Sequence, residues 1–511
     1  MSEILPVTPA PETSPTLALP PLPIVPQFEF SPSVDEQARI DQLVSELIQE
    51  QPDLVVDERL RSVVWKSGKV GPALILDDYS AIRVPAGMAV EYLQDRGRLR
   101  TRDGDYFVTN HPPEPGFAEY CSEQLGLGSP TWLTAARTAS SLAISCWADR
   151  AVRRRLVSAI RQGHLTCVHP HMGNRPVWEL AVQLSQAAHR PLEVVGPPPA
   201  ISDWANDKLE FARVVSRLLG PSFVPRTQQA CNLPALATMA RDLGSRVTTL
   251  AIKTPDSAGG AGNYVLESER IRGRSLAGIR QTLQQILGGQ PWDDSDELLV
   301  GSWESDVLAA PSAQLWLPPL GIGPPLVEGI YMQSIERAEG VFAGTQPANL
   351  EPELTQDMAR WSWLLGSLFQ RLGYVGRCSF DMVLIGKSFE NCRIKFIECN
   401  GRWGGTSLPM TLINRLFGDG RTQPFATREY HDDRLKNVSF QQLLDELSDV
   451  LYDARTGRGR LILFTPGRMR IKGTVSAITL GATQESANET AQQLLPARLK
   501  NLLEDGETSS S

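Results

Sequence analysis

The sequence predicts a chain of two mixed architectures, α/β toward the N-terminus and α+β beyond it. Three observations lead there. The apolar run Ala73-Leu74-Ile75-Leu76 stops at Asp77-Asp78, as a buried strand ending in a turn does. A helical pattern over about 177–188 runs into a short apolar strand at 192–195, and Gly196-Pro197-Pro198-Pro199 then breaks the chain. Two apolar runs at about 378–385 and 393–399 flank a loop of turn formers, which is the signature of a hairpin.

The elements follow in order. Residues 1–32 hold nine prolines and no periodicity, so an extended or disordered tail is expected. Regular patterning starts near Val34. After the proline break, Asp203 to Leu219 reads as one helix closed by Gly220-Pro221. A strand from Thr248 to Ile252 leads into Lys253 and a glycine-rich loop. A long helix over Thr355 to Leu372 carries Met358, Trp361, Leu364, Leu365, Leu368 and Leu372 at helical spacing, with Gly373 placed to cap it. Trp361 and Trp363 read as packing residues of that helix. From about Phe425 the pattern is a helix, then strands at 460–464 and 470–478, then a further helix, and Glu504 to Ser511 reads as frayed.

The chain has 511 residues, enough for roughly three domains. Its net charge of −8 argues against a nucleic-acid scaffold, which shows a basic footprint. Two local basic clusters stand out against it: Arg150, Arg153, Arg154 and Arg155, and Arg455, Arg458, Arg460, Arg468, Arg470 and Lys472. Each reads either as a solvated face or as a surface for an anionic substrate. Seven scattered cysteines suit reduced thiols and a cytoplasmic setting. No secretory pattern opens the sequence. The longest uncharged stretch, Val307 to Val327, is broken by five prolines and cannot form a membrane helix, so no membrane partner is expected.

The hairpin carries the chemistry. Its sequence from Gly376 to Gly405 is GRCSFDMVLIGKSFENCRIKFIECNGRWGG. Side chains alternate along a strand, so Glu398 and Asn400 share one face. With the loop centred between Phe389 and Glu390, Asp381 falls directly opposite Glu398, and paired Cβ atoms lie about 4.5–5.5 Å apart. Two carboxylates that close repel by about 3 kcal/mol at an effective dielectric near 20. A cation between them relieves this, and hard oxygen donors suit Mg²⁺ held together with substrate phosphates. The plainer alternative is a surface pair offset by Arg402. Cys399 points to the other face and reads as core.

Phe396-Ile397-Glu398-Cys399-Asn400-Gly401-Arg402-Trp403-Gly404-Gly405 resembles the metal-binding end of the ATP-grasp superfamily, a Glu-x-Asn-x-Arg pattern followed by glycines and one strand from an acidic residue. The wider context, Gly373 to Pro409, resembles the pheganomycin-type peptide ligases. The resemblance covers about 200–420 well and its flanks more loosely. It implies a pre-ATP-grasp α/β domain (33–199), an ATP-grasp domain of two α+β subdomains (200–425, with a lid at about 222–297) and a small C-terminal α/β segment on the substrate side (426–503), between tails at 1–32 and 504–511. It also implies Asp381, Glu398 and Asn400 as Mg²⁺ ligands and Arg402 as a catalytic contact to phosphate or acyl phosphate.

Phosphates want cations and converging backbone N–H groups. Lys253, followed by Ser257, Gly259, Gly260 and Gly262, meets that need, although a plain flexible turn fits the glycines too. The order is not that of a Walker A loop. Within the resemblance, this segment matches the phosphate lid, with Lys253 catalytic. Lys208, in Asn206-Asp207-Lys208, is a solvated lysine on its own and a phosphate contact by resemblance. Leu298 to Glu304 resembles the strand and hinge that meet adenine. Gly301-Ser302 stand where the family often has paired acids, and the resemblance offers backbone groups of Ser302 and Trp303 as candidates for the base and Asp306 for the ribose. Cys167-Val-His169-Pro-His171 lacks structural zinc spacing.

Together these readings imply an ATP- and Mg²⁺-dependent carboxylate–amine ligase working through an acyl phosphate and releasing ADP and phosphate. Its substrates are small molecules or peptides, one acid and one amine, and the oligomeric state is open between a monomer and a homodimer. A non-catalytic ATP-binding scaffold or sensor, and a phosphotransferase or thiol ligase of the same superfamily, are the alternatives.

Overall fold

The computed structural model describes residues 24–82, 90–253, 263–287, 297–336, 341–420 and 423–508. Four sheets organise it. The first is parallel and five-stranded, in the spatial order Thr131–Thr134, Tyr106–Thr109, Ala73–Leu76, Cys167–Pro170, Glu193–Val194. Its central strands are buried on both faces, which explains the unbroken apolar run at Ala73–Leu76. Leu74 and Leu76 face one core with the helices Arg150–Gln162 and Arg175–Ala188, while Ala73 and Ile75 face another that holds Trp316, Trp403 and Leu408. The second core joins this sheet to the hairpin sheet.

That hairpin sheet is antiparallel. Gly376–Ile385 takes Val307–Ala309 and Pro311–Leu317 along one edge and Arg393–Asn400 along the other, and Leu326–Glu336 and Val341–Pro347 extend it. The helices Val34–Glu50, Lys208–Leu218 and Pro352–Arg371 cover it through a shared core that includes Cys399. The third sheet runs Thr227–Ala230, Leu298–Ser302, Thr249–Lys253, Asn263–Glu267, backed by the helices Leu233–Gly244 and Leu276–Leu287. The fourth, Phe425–His431, Thr474–Leu480, Leu461–Phe464, shares a core with Leu99, Phe117 and Tyr120 from the N-terminal part.

Several elements depart from expectation. Residues 24–32 are not a free tail: Gln27 N–H donates to the Val327 carbonyl (2.8 Å), and Phe28 and Phe30 pack on the core, so their apolar surface outweighs the flanking prolines. The single helix expected over Asp203 to Leu219 is two, Pro199–Asn206 and Lys208–Leu218. The Asp207 carboxylate accepts from the Leu209 and Glu210 amides (2.7 and 2.9 Å) and starts the second helix afresh. Phe425–His431 is a strand, not a helix, and pairs along its whole length with Thr474–Leu480. Arg470 lies in the short helix Gly467–Lys472, which Gly473 ends in the left-handed conformation. The C-terminal helix continues to Thr508, past the expected fraying point at 504. The uncharged stretch from Val307 to Val327 forms sheet strands, and among the described residues no helix is long and apolar enough to cross a membrane.

Candidate functional site

Asp381 pairs directly with Glu398 across the hairpin, and Ser379 pairs with Asn400. The loop-side pairs follow a different register, Val383 opposite Lys395, and a bulge between Asp381 and Met382 absorbs the one-residue difference. The carboxylate pair therefore stands where a symmetric hairpin places it, although the turn itself is centred one half-residue away.

Asp381 accepts from Ser312 Oγ (2.6 Å) and from Asn400 Nδ2 (2.9 Å). Burial, then the Glu398 charge, push its carboxyl up to about 6. The Glu398 carboxylate meets Lys208 Nζ at 3.4 Å. Lys208 thus offsets Glu398, while the Arg402 charge acts on Asp381 and draws its carboxyl down against burial. Arg402 donates to Asn206 Oδ1, which also accepts from Gly401 N (3.0 Å). A side chain at Gly401 has no room, because its Cβ would lie 2.8 Å from Asn206 Nδ2.

Lys253 stands 5.6 Å above the Trp303 ring. Burial lowers its amine to about 8, Glu398 pulling it up and Lys208 pushing it down. Lys208, Lys253 and Glu398 thus act on one another. Ser257, Gly259, Gly260 and Gly262 lie outside the described residues.

At the hinge, the Ser302 and Trp303 amides donate to the Arg226 and Thr249 carbonyls (2.9 and 3.0 Å). Asp306 is exposed at the loop end of the hairpin, where its carbonyl accepts from Gly386 N (3.0 Å), remote from the carboxylate pair. Glu304, which sequence reasoning passed over, accepts from Lys395 Nζ (2.5 Å) and Ser302 Oγ (3.2 Å) beside that strand.

Asp381, Glu398, Asn400 and Arg402 line one cavity of about 370 Å³. Tyr79 and His171 line it too, and both follow the carboxyl ends of parallel strands, where open α/β sheets present their crevice. The Trp403 amide donates to the His171 carbonyl (2.9 Å), which ties the first sheet to the end of the hairpin. Ser312 had no motif to betray it, whereas His171 was weighed only as part of a zinc-like run and Asn206 only as the start of Asn206-Asp207-Lys208.

Among the described residues no three His, Cys, Asp or Glu side chains cluster to hold a metal. The candidate ion site offers two carboxylates and one amide. That donor set fits Mg²⁺, which takes one or two protein carboxylates and fills its remaining positions with water and substrate phosphates.

Residues 95–186 match the family model of the pre ATP-grasp domain. No curated protein matches the sequence. Among solved structures, the chain is similar to an ADP complex of N5-carboxyaminoimidazole ribonucleotide synthetase, with 12% identity and a TM-score of 0.51, over 86% of this chain and 99% of that one. The biotin carboxylase domain of Hydrogenobacter thermophilus 2-oxoglutarate carboxylase aligns over 83% and 90% (11% identity, TM-score 0.49). The Thermus thermophilus N5-carboxyaminoimidazole ribonucleotide synthetase aligns over 84% and 98% (15% identity, TM-score 0.48). The architecture is that of a pre-ATP-grasp domain joined to an ATP-grasp fold.

Proposed function

We propose that the chain is an ATP-dependent ligase that activates a carboxylate as an acyl phosphate and passes the acyl group to an amine, releasing ADP and phosphate. The observation that carries this reading is the convergence of Asp381, Glu398 and Asn400 on one cavity, with Lys208 paired to Glu398 and the Lys253 charge coupled to both. The structurally similar synthetase is an ADP complex, which supports nucleotide binding by a protein of this fold.

A free carboxylate does not acylate an amine near neutral pH, because its leaving group is oxide. Transfer of the γ-phosphoryl group supplies a better leaving group, and the protein's share of that step is positioning and charge neutralisation. Asp381, Glu398 and Asn400 would hold Mg²⁺. Bound there, the ion would offset the negative charge of the phosphates. Lys208 and Lys253 place two ammonium groups beside the same carboxylate, where they bind the triphosphate. Arg402, steadied by Asn206, presents its guanidinium to the acyl phosphate. The amine then attacks the acyl carbon and phosphate leaves, so no protein nucleophile is required.

The test is incubation with ATP, Mg²⁺, a broad acid panel and hydroxylamine, which traps acyl phosphates as hydroxamates. Hydroxamate and ADP in equal amounts are expected. ADP absent from every acid and amine combination counts against the ligase, and ATP binding without turnover points to a sensor or scaffold.

A further inference from the structure

We infer, resting on the ligase reading above, that the acid taken by this site carries a second anionic group, held at the far wall of the cavity by Arg96 and Arg468. These two residues lie 372 positions apart, Arg96 in the turn of helix Val90–Arg100 and Arg468 in Gly467–Lys472, yet both line the cavity that holds Asp381 and Glu398. Both guanidiniums converge on a single oxygen, Glu429 Oε1. Arg96 Nη2 donates from 3.2 Å, Arg468 Nη1 donates as well, and Ser476 Oγ adds a third donor at 3.3 Å. One carboxylate thus answers two cations. Their side chains are only 18% and 11% exposed, and the Nε of each is buried with no partner. A positive charge left in excess in such surroundings is costly unless an anion joins it.

Leu93, Ile335 and Phe342 line the same cavity and suit a short hydrocarbon spacer. The volume of about 370 Å³ lies in the range of small-molecule pockets. One end of the substrate then meets the nucleotide beside Asp381 and Glu398, and the other meets guanidinium groups that match carboxylate or phosphate oxygens. Arg96 and Arg468, from two helical segments, supply substrate selection, and Glu429 on the strand Phe425–His431 holds them in place while partly masking them.

Calorimetry with MgADP present tests this on matched probes: glutamate against glutamine, aspartate against asparagine, and O-phosphoserine against serine. The anionic member of at least one pair is expected to bind about tenfold to a hundredfold more tightly, the range of a charge-assisted hydrogen bond. Comparing the carboxylate pairs with the phosphate pair tells which anion is preferred. Arg468→Gln and Arg96→Gln erase the preference. Glu429→Gln unmasks both guanidiniums and strengthens anion binding, a gain that a merely structural role for Glu429 does not give. Equal affinity within every pair, no binding at all, or an unchanged ratio in folded Arg468→Gln and Glu429→Gln proteins overturns the anion pocket. The hydroxylamine assay run on the same acids separates the two ideas. Selective binding with no hydroxamate sinks the ligase and spares the pocket, whereas hydroxamate from monoanionic acids alone sinks the pocket and spares the ligase.

Discussion

Asp381 and Glu398 face one another in direct cross-strand register at the end of the hairpin, with a bulge immediately on the loop side of the pair. Without nucleotide and metal this is an unfavourable arrangement. Asp381 titrates at about 6 in the folded chain against an ordinary value of 3.8, so between those limits the folded state binds more protons than the unfolded one. Stability therefore falls as pH rises from about 4 to 6, and the cost is fully present at neutral pH. Asp381→Asn should raise the stability of the nucleotide-free protein at pH 7 by on the order of 1–3 kcal/mol, read as a higher melting temperature, while it abolishes ATP turnover. A variant that melts lower than the parent would count against charge repulsion at this pair.

Glu398→Gln separates the metal role from the fold. It keeps the shape and a hydrogen-bonding oxygen opposite Lys208, and it removes the charge that a divalent ion requires. ADP formation should drop by about 10²–10³-fold or more, with a melting temperature near that of the parent. Activity close to normal in this variant rules out Glu398 as a metal ligand.

The pair was legible because alternation along strands is strict and the loop length sets the register to within one residue. The bulge was not legible: nothing at Ile397 marks it as the extra residue, and the expected pairing came out right because the bulge lies between the pair and the turn. The break at Asp207 was hidden for a different reason. Apolar residues keep helical spacing straight through it, and the capping carboxylate that restarts the helix is a local hydrogen-bond effect that outweighs periodicity. Glu429 and Arg468 could not be joined from sequence, because their contact depends on how the C-terminal sheet folds back against residues 90–100.

Lys253 should impose a pH dependence on ATP use. Its amine titrates at about 8, so it is protonated and able to meet phosphate below that value and neutral above it. The kcat/KM for ATP should be flat up to about pH 8 and fall roughly tenfold per unit beyond it. Lys253→Arg, whose charge does not titrate in this range, should carry the plateau to higher pH. The same shift acts on stability: the unfolded chain holds more protons between about 8 and 10.5, so the nucleotide-free fold gains stability across that window. A profile identical in the parent and in Lys253→Arg would remove Lys253 from the phosphate site.

Arg377 and Glu328 form an ion pair with side chains 1% and 0% exposed, the guanidinium lying 4.9 Å from the Trp403 ring and 5.4 Å from Trp316. Glu328→Gln leaves that buried cation unpaired and should cost about 3–5 kcal/mol, read from the denaturant midpoint. The double change Glu328→Leu with Arg377→Met replaces both charges by apolar volume and should recover most of the loss. Failure to recover would mean that the pair fixes the seat of Trp403 and does more than balance charge.

Asn206 links the helix that precedes Lys208 to the strand end that carries Arg402, its single Oδ1 taking both the Gly401 amide and the Arg402 guanidinium. Asn206 touches no expected nucleotide or metal position, so its role is to aim Arg402. Asn206→Ala should lower kcat by about tenfold to a hundredfold, the scale of losing a residue that orients a working group, and should leave KM for ATP little changed. Asn206→Asp keeps the acceptor in place and should restore most of the rate. Gly401→Ala should mimic the loss from the other side, because its Cβ would collide with Asn206 and drive the two chains apart. A parallel rise in KM for ATP in Asn206→Ala would instead place Arg402 on the nucleotide in the ground state, and would move its contribution from acyl transfer to ATP binding.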